Sequence, residues 1–530
     1  MITFTKSMLI PVLIVLLVST IIKGQSVRSL PRSSPETEGV SSKDINTFLD
    51  SATALKGLEL HNFMFVCHGK VIAEGSWYPY KPTLVHTLNS CTKIYCSTAV
   101  GFAINEHLLS LEDKVISFFP DDLPDTISPM LAKITVRDML TMSSGMPIEP
   151  NWIRATDNWV KGYLSNPVAY TPGTKFQYSS LGSYIVGAIV TKVTGQKLID
   201  YLKPRLFEPL GIEGVDWDTD SQGISTGGSG MRVKIEDMAK LGQLYLQNGK
   251  WNGKQLLPEA WIKDATSLHI DQAPTETPQA KAKSDWKQGY GYQFWRCRNN
   301  AFRGDGAGGQ FIVVMPDHDA VVVLQAEIDD MQAELNLVWD YLLPSFKSTK
   351  LPSMPVTSLL KLRLASLTIP SPTKVVDSKL SSQISNKYFL FTDNEMHLEK
   401  LSFNFVEDMC YVKLKTNGKE YKLFFGAGKW INGTTSLPKS NVLQPAKTTG
   451  GGYVPQADGS LKFRDDGEML QKVAGSYTWK DDNTLELALQ YIESPSGGKI
   501  TCKLDGNKVS VNVKFSNDSR NSKQVSGELK

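Results

Sequence analysis

Nowhere in its 530 residues does the chain carry a His-Glu-x-x-His pair, which removes a helical zinc site. One Gly-x-Ser-x-Gly pentapeptide occurs, Gly223-Ile224-Ser225-Thr226-Gly227, but it runs on into Gly228-Ser229-Gly230 with no helical pattern after it, so it lacks the strand-to-helix context of the strained elbow that presents a catalytic serine in one large group of hydrolases. Histidine itself is scarce: His61, His68, His86, His107, His269, His318 and His397 stand without a recognisable partner motif, and each reads as structural. The six cysteines, Cys67, Cys91, Cys96, Cys297, Cys410 and Cys502, are too sparse for a disulfide scaffold and lack zinc-ligand spacing. Cys91 and Cys96, five apart on an expected helix, point different ways and should not pair. An excess of one charge is missing too, with 57 Lys and Arg against 54 Asp and Glu, interspersed and with no basic block. That pattern excludes a nucleic-acid surface. Beyond residue 26 no run reaches the roughly 18 apolar residues of a membrane span.

What the chain does have begins at its N-terminus. Lys6 precedes the apolar run Met8 to Ile22, followed by polar residues with small Gly24 as the candidate cleavage point. Residues 1–26 therefore read as a secretory signal peptide, with an uncleaved membrane anchor as the alternative. Export follows in either case. Residues 27–346 mix helical and strand patterns. Asn62 to Trp77 reads as two strands joined at His68-Gly69-Lys70, and "IEDMAKLGQLYLQNG" as an amphipathic helix ending at Gly249. "GGQFIVVMPDHDAVVVLQAE" reads as a hairpin turning at Pro316 to Asp319, and "QAELNLVWDYLLPSF" as a closing helix. Residues 347–370, opening with "KSTKLPSMPVTS", are expected to be a linker. Residues 371–530 consist of short alternating strands such as "MCYVKLK", "TLELALQYIE" and "KVSVNVKF", an antiparallel all-β domain.

Ser90 and Lys93 form a Ser-x-x-Lys tetrad, which alone means little: Ser284, Ser358, Ser371, Ser436 and Ser496 begin others. Ser90 differs by standing at the first turn of a long apolar helix. Residues three apart share a helix face, so Lys93 can reach the Ser90 hydroxyl. The helix start adds free N–H groups and partial positive charge. A lysine partly buried there is expected to titrate low, because burial disfavours its charged form, and could accept the serine proton. In "YTPGTKFQYSSLGSYIVGAIVTKVTG", Tyr178 sits at a loop-to-helix junction. It reads either as a core tyrosine or, if Lys93 is near, as a general base. In "RGDGAGGQFIVV" the glycines entering a strand allow close backbone approach.

Taken in order, these segments resemble the β-lactamase and penicillin-binding serine hydrolase superfamily, whose nucleophile motif is Ser-x-x-Lys. "ITVRDMLTMSSGM", "TPGTKFQYSS", "GGSGMRVKIEDMAKLGQLYLQNGKWNGKQLLPEAWI" and "GYGYQFW" are similar to its class C-related branch, which includes esterases, D-aminopeptidases and 6-aminohexanoate-dimer hydrolases. The resemblance covers about residues 35 to 346. It implies an α/β (α+β) catalytic domain, an antiparallel sheet flanked by helices, followed by the all-β domain. It implies Ser90 as acylating nucleophile, Lys93 as its activator, Tyr178 as base and proton shuttle, and an oxyanion hole of the Ser90 and Gly309 backbone N–H groups. Ser180, Gly306, Ala307 and Gly308 would line the substrate, a small ester, amide or peptide-like molecule, with no metal or cofactor. Two departures stand out: Ser180 replaces the usual asparagine of the second motif, and Gly306-Ala307-Gly308 lacks the basic and hydroxyl groups of the third. Arg303 lies three residues off and on the other strand face. The expected activity is ester or amide hydrolysis. A penicillin-recognising cell-wall peptidase or β-lactamase, and a lapsed binding protein of the same fold, are the alternatives.

Overall fold

The computed structural model describes residues 29–147, 158–347, 349–352, 355–373, 378–438, 453–455, 461–463, 469–515 and 522–530. The expected signal peptide lies outside them. Among the described residues, no helix is long and apolar enough to cross a membrane.

Helix α1 (Ser42–Ala54) opens the first unit, its start capped by Ser41, whose side chain accepts from the Asp44 N–H. Strands β1 (Glu59–Cys67) and β2 (Lys70–Ser76) follow. His68 and Gly69 join them at φ 48° and 70°, as a tight two-residue hairpin turn demands. After the short strand β3 (His86–Thr87) comes α2 (Thr92–Asn105), then α3 (Ser180–Thr194), which stops at Gly195 in a left-handed cap. Strand β4 (Met231–Val233) pairs with β3, and α4 (Ile235–Leu246) follows. The sheet is completed by β5 (Trp295–Arg296), β6 (Phe302–Gly306), β7 (Gln310–Met315) and β8 (Ala320–Glu327), with α5 (Met331–Leu337) after it. Its order is β2-β1-β8-β7-β6-β5, antiparallel throughout.

Alternating side chains feed two cores. Met64, Val66, Ile312, Val314, Val321 and Val323 pack with α2, α3 and α4. Phe63, Phe65, Phe311, Val313, Val322 and Leu324 pack with α1 and the segment after β8. Helices thus cover both faces, and α2 runs through the middle, buried nearly all round.

The region expected as a linker carries a helix, α6 (Pro355–Ala365), with proline at its first position, where the missing N–H costs nothing. Leu360 enters the second core, and Arg363 pairs with Asp50 of α1 at 2.7 Å. The segment is therefore part of the first unit's packing and not a free connection.

The C-terminal part is a closed barrel. Its strands are β9 (Lys387–Phe391), β10 (Leu398–Val406), β11 (Met409–Thr416), β12 (Lys419–Ala427), β13 (Ile431–Thr435), β14 (Gln471–Asp481), β15 (Thr484–Tyr491), β16 (Ser496–Asp505), β17 (Lys508–Phe515) and β18 (Ser522–Leu529). Neighbours are antiparallel, and parallel pairing of β12 with β14 closes the ring. Closure removes the open edges that invite association. Trp430, Ala474 and Ile492 of the barrel join Trp77, Tyr80 and Ile369 in the second core, so the two parts share apolar packing.

Candidate active site

Strand β3 delivers the chain to Ser90. The Leu88 N–H donates to the Met231 carbonyl at 3.0 Å, and Asn89 takes φ 47°, bending the backbone into the tight turn Asn89–Cys91 that starts α2. One turn on, Lys93 is 1% exposed. Its Nζ donates to Ser90 Oγ at 3.0 Å, to Ser180 Oγ at 3.2 Å and to the Gly228 carbonyl at 2.7 Å. A buried ammonium needs such partners, because unpaired burial of a charge is expensive. Ser180, the first residue of α3, is thus a direct partner of Lys93. The Gly228 carbonyl is a third anchor that a backbone atom supplies without any side-chain signature.

Tyr178 comes to the same place. The Lys93 ammonium lies 4.7 Å from its ring centroid, over the face, and the ring stacks on Trp295 with centroids 5.7 Å apart. Phe176 and Tyr290 extend the aromatic wall, at 5.6 and 4.9 Å from Trp295.

The glycine hairpin divides into two halves. Gly306 and Ala307 lie against the Asn89–Cys91 turn: a Cβ at Gly306 would fall 2.1 Å from the Leu88 carbonyl oxygen and 3.0 Å from the Cys91 nitrogen. Asn89 Nδ2 donates to the Ala307 carbonyl at 2.6 Å. Gly308 faces Pro495 of the barrel, and Gly309, at φ 87°, faces α5, where a Cβ would fall 2.2 Å from Glu334 Oε2. Gly309 thus packs toward Glu334, while Ala307 lies beside Asn89.

Two acids near this hairpin carry no motif in the sequence. Asp305 keeps 9% of its side-chain surface open and pairs with Arg303 at 2.7 Å. Burial pushes its carboxyl up, against the pull of Arg303 and Lys93. Arg303 is fully buried, 4.5 Å from the Trp286 ring and 5.5 Å from the Trp295 ring. Glu334 is buried with both carboxyl oxygens lacking a hydrogen-bond partner. Burial, with Asp305 nearby, holds it well above the usual carboxylate range.

The barrel reaches this region through one turn. The Thr87 N–H and hydroxyl both donate to the Glu493 carbonyl, at 3.0 and 3.2 Å, and the Tyr80 hydroxyl donates to the Ser494 carbonyl at 3.2 Å.

A family model described as Beta-lactamase matches residues 62–341, just over half of the chain. A lovastatin esterase of Penicillium rubens is 27% identical over 32% of this chain and 47% of its own length. A 6-aminohexanoate-dimer hydrolase of Paenarthrobacter ureafaciens is 22% identical over 49% of this chain and 71% of its own. The chain spans about half the length of several curated relatives it matches. Among solved structures, an octameric penicillin-binding protein homologue from Pyrococcus abyssi aligns at a TM-score of 0.46 and 15% identity, over 88% of this chain and 97% of that one.

Proposed function

The chain belongs to the beta-lactamase family, and from that premise we propose that it is a serine hydrolase that cleaves an ester or amide through an acyl-enzyme on Ser90. The observation that carries this reading is Lys93 Nζ at 3.0 Å from Ser90 Oγ, buried and fixed by Ser180 and Gly228. In the acylation step Ser90 Oγ bonds the substrate's carbonyl carbon while its proton passes to the Lys93–Tyr178 pair. The carbonyl π electrons move onto oxygen, and backbone N–H groups stabilise that oxyanion by ~3–4 kcal/mol per donor. One donor is Ser90. The second comes from the glycine hairpin, where Gly309 was expected and the placement of Ala307 beside Asn89 favours Ala307. Collapse breaks the bond to the leaving group, which takes up the proton, and water repeats the sequence to release the acid.

Two features support an uncharged, apolar acyl group. The wall of Tyr178, Trp295, Phe176 and Tyr290 is aromatic. The strand residue before Gly306 is the acid Asp305, not a base that would meet a β-lactam carboxylate. The relatives named lovastatin esterase and 6-aminohexanoate-dimer hydrolase support hydrolysis as the reaction type. We also read residues 1–26 as an export signal, which places the reaction outside the cytoplasm. A fluorophosphonate probe should label the full-length protein at Ser90, with the label lost in Ser90→Ala. Labelling mapped to another serine removes the proposal. On one preparation a p-nitrophenyl ester should turn over faster than a chromogenic cephalosporin; the reverse order, with Ser90 as attachment point, would favour the penicillin-recognising alternative.

A further inference from the structure

Behind the strand that leads into Ser90 lies a polar cluster that this chemistry does not use. Glu59 of β1 and Glu327 of β8 are register partners across an antiparallel ladder, where like charges directly opposite are destabilising. Between Leu60 and Asn62 the register slips, leaving His61 as the extra residue of a β-bulge. Bulges re-aim side chains, and here the imidazole is wholly buried, stacked 3.8 Å from the Tyr80 ring. One ligand atom each from Glu59, His61 and Glu327 lies within 4.8 Å of the others.

Hydrogen bonding fixes how the imidazole is presented. His86 Nδ1 lies 3.0 Å from the Thr87 carbonyl oxygen, which can only accept, so that nitrogen carries a proton. In a neutral His86 the other nitrogen, Nε2, is an acceptor, and it lies 3.0 Å from His61 Nδ1. His61 Nδ1 therefore donates. On a His61 ring that carries its one proton at Nδ1, Nε2 bears the lone pair, buried and without a hydrogen-bond partner, 3.4 Å from Glu59 Oε1. A lone pair aimed at carboxylate oxygen is repulsive, and a cation between them makes each contact attractive.

We propose that Glu59, His61 and Glu327 bind a divalent cation of the zinc type. One imidazole nitrogen with carboxylate oxygens suits Zn²⁺ and its first-row neighbours, whereas Ca²⁺ takes six to eight oxygens. The outer contacts fit, since a metal-bound histidine normally donates its other N–H to a fixed acceptor and ligating carboxylates are themselves hydrogen-bonded. His86 accepts from His61, and Gln490 Nε2 of the barrel donates to Glu59 Oε1 at 2.8 Å. A cavity of 470 Å³ between sheet and barrel, with Glu59 and Gln490 in its wall, gives entry. The ion would clamp three elements: the sheet, the barrel strand β15 through Gln490, and β3 through His86.

The test uses the full chain, stripped with chelator and dialysed against Zn²⁺ or Co²⁺. One ion per chain should be retained, with visible Co²⁺ absorption bands of a low-coordinate N/O site. His61→Ala and Glu327→Gln should each weaken binding on the order of 100-fold or more, exceeding the effect of removing an outer contact. Zn²⁺ should raise the melting temperature of wild type and Ser90→Ala but not of Glu327→Gln. If His61→Ala does not fold, wild type and the isosteric Glu327→Gln still decide. No retained ion in wild type, or undiminished affinity in Glu327→Gln, overturns the site. So does a doubly protonated His61 ring seen by nitrogen NMR in metal-treated protein, because a proton would then occupy the cation's place.

Discussion

Strands β7 and β8 of the catalytic unit are buried at every position, whereas β12 of the barrel alternates buried and exposed side chains through most of its length. Helices on both faces of the sheet cause the first pattern, and solvent outside the closed barrel causes the second. The difference has a chemical consequence. A polar residue placed in the doubly covered sheet or beside it must be bound by protein or change its protonation. Lys93, Arg303, Asp305 and Glu334 all lie there, and burial displaces both acids upward. In the barrel, the buried acid Glu486 is met by Lys480 and Lys499 at 3.1 and 2.6 Å, an ordinary ion-paired arrangement. The carboxyl groups that burial pushes up thus lie in the catalytic unit. We read the barrel as a buttress to it.

The largest expected effects test that division. Ser90→Ala and Lys93→Ala should each lower kcat/KM by about 10⁴-fold or more, since residues that act as one unit fail together. Tyr178→Phe should also slow acylation by orders of magnitude. Stopped-flow acylation with a p-nitrophenyl ester measures all three. Near-normal acylation in Tyr178→Phe would make the tyrosine a packing residue and leave Lys93 as the base.

Those residues were the legible ones, for a physical reason. The i, i+3 spacing of Ser90 and Lys93 is written in the chain, and Tyr178 stands at a helix start that its glycine and proline neighbours announce. Asp305 is a lone acid among glycines, and nothing local says that it meets Arg303 and feels Lys93. The Gly228 carbonyl is a backbone atom and has no residue type to reveal it. Helix α6 was masked by the proline-, serine- and threonine-rich residues before it, although Pro355 at its first position was a usable signal. Of the barrel, the alternating strands were readable. Its attachment was not, because Trp430 and Ile492 reach the second core through contacts remote in sequence.

That attachment gives the next test. Trp430 is 7% exposed, and its Nε1 donates to the Ile369 carbonyl at 2.9 Å. Trp430→Ala should cost about 3–5 kcal/mol, the usual range for truncating a buried aromatic. Urea unfolding followed by far-UV circular dichroism reads the loss. A chain ending at residue 352 would lose its packing around Trp77 and Tyr80 and should aggregate or unfold. A truncated chain that folds and keeps full activity would show that the catalytic unit is self-sufficient, and the buttress idea would fail.

A smaller effect separates Ser180 from the substrate-lining role its position suggests. Its hydroxyl accepts from the Lys93 ammonium at 3.2 Å. A hydrogen bond to a charged group is worth about 1.5–3 kcal/mol, so Ser180→Ala should lower kcat by roughly 10- to 100-fold. KM should change little if the serine acts through Lys93. A rise in KM with kcat intact would return Ser180 to substrate contact alone.

The smallest effect on activity is expected at Glu334, where stability and pH carry the information. Both its oxygens lack a partner, and burial raises its carboxyl well above the usual range. A raised carboxyl means that the folded chain holds a proton that the unfolded chain has released. Stability therefore falls as pH rises above the ordinary glutamate value of about 4.3, and keeps falling until the folded-state value is passed. Glu334→Met has similar length, no proton to hold and no polar atom to leave unsatisfied. The variant should match wild type near pH 4, gain on it steadily toward neutral pH, and keep its ester activity within a few-fold. Thermal melts of both proteins across that range decide the matter. Parallel curves would mean that Glu334 is ionised in the fold, and the contrast between the doubly covered sheet and the barrel would lose its clearest titrating example.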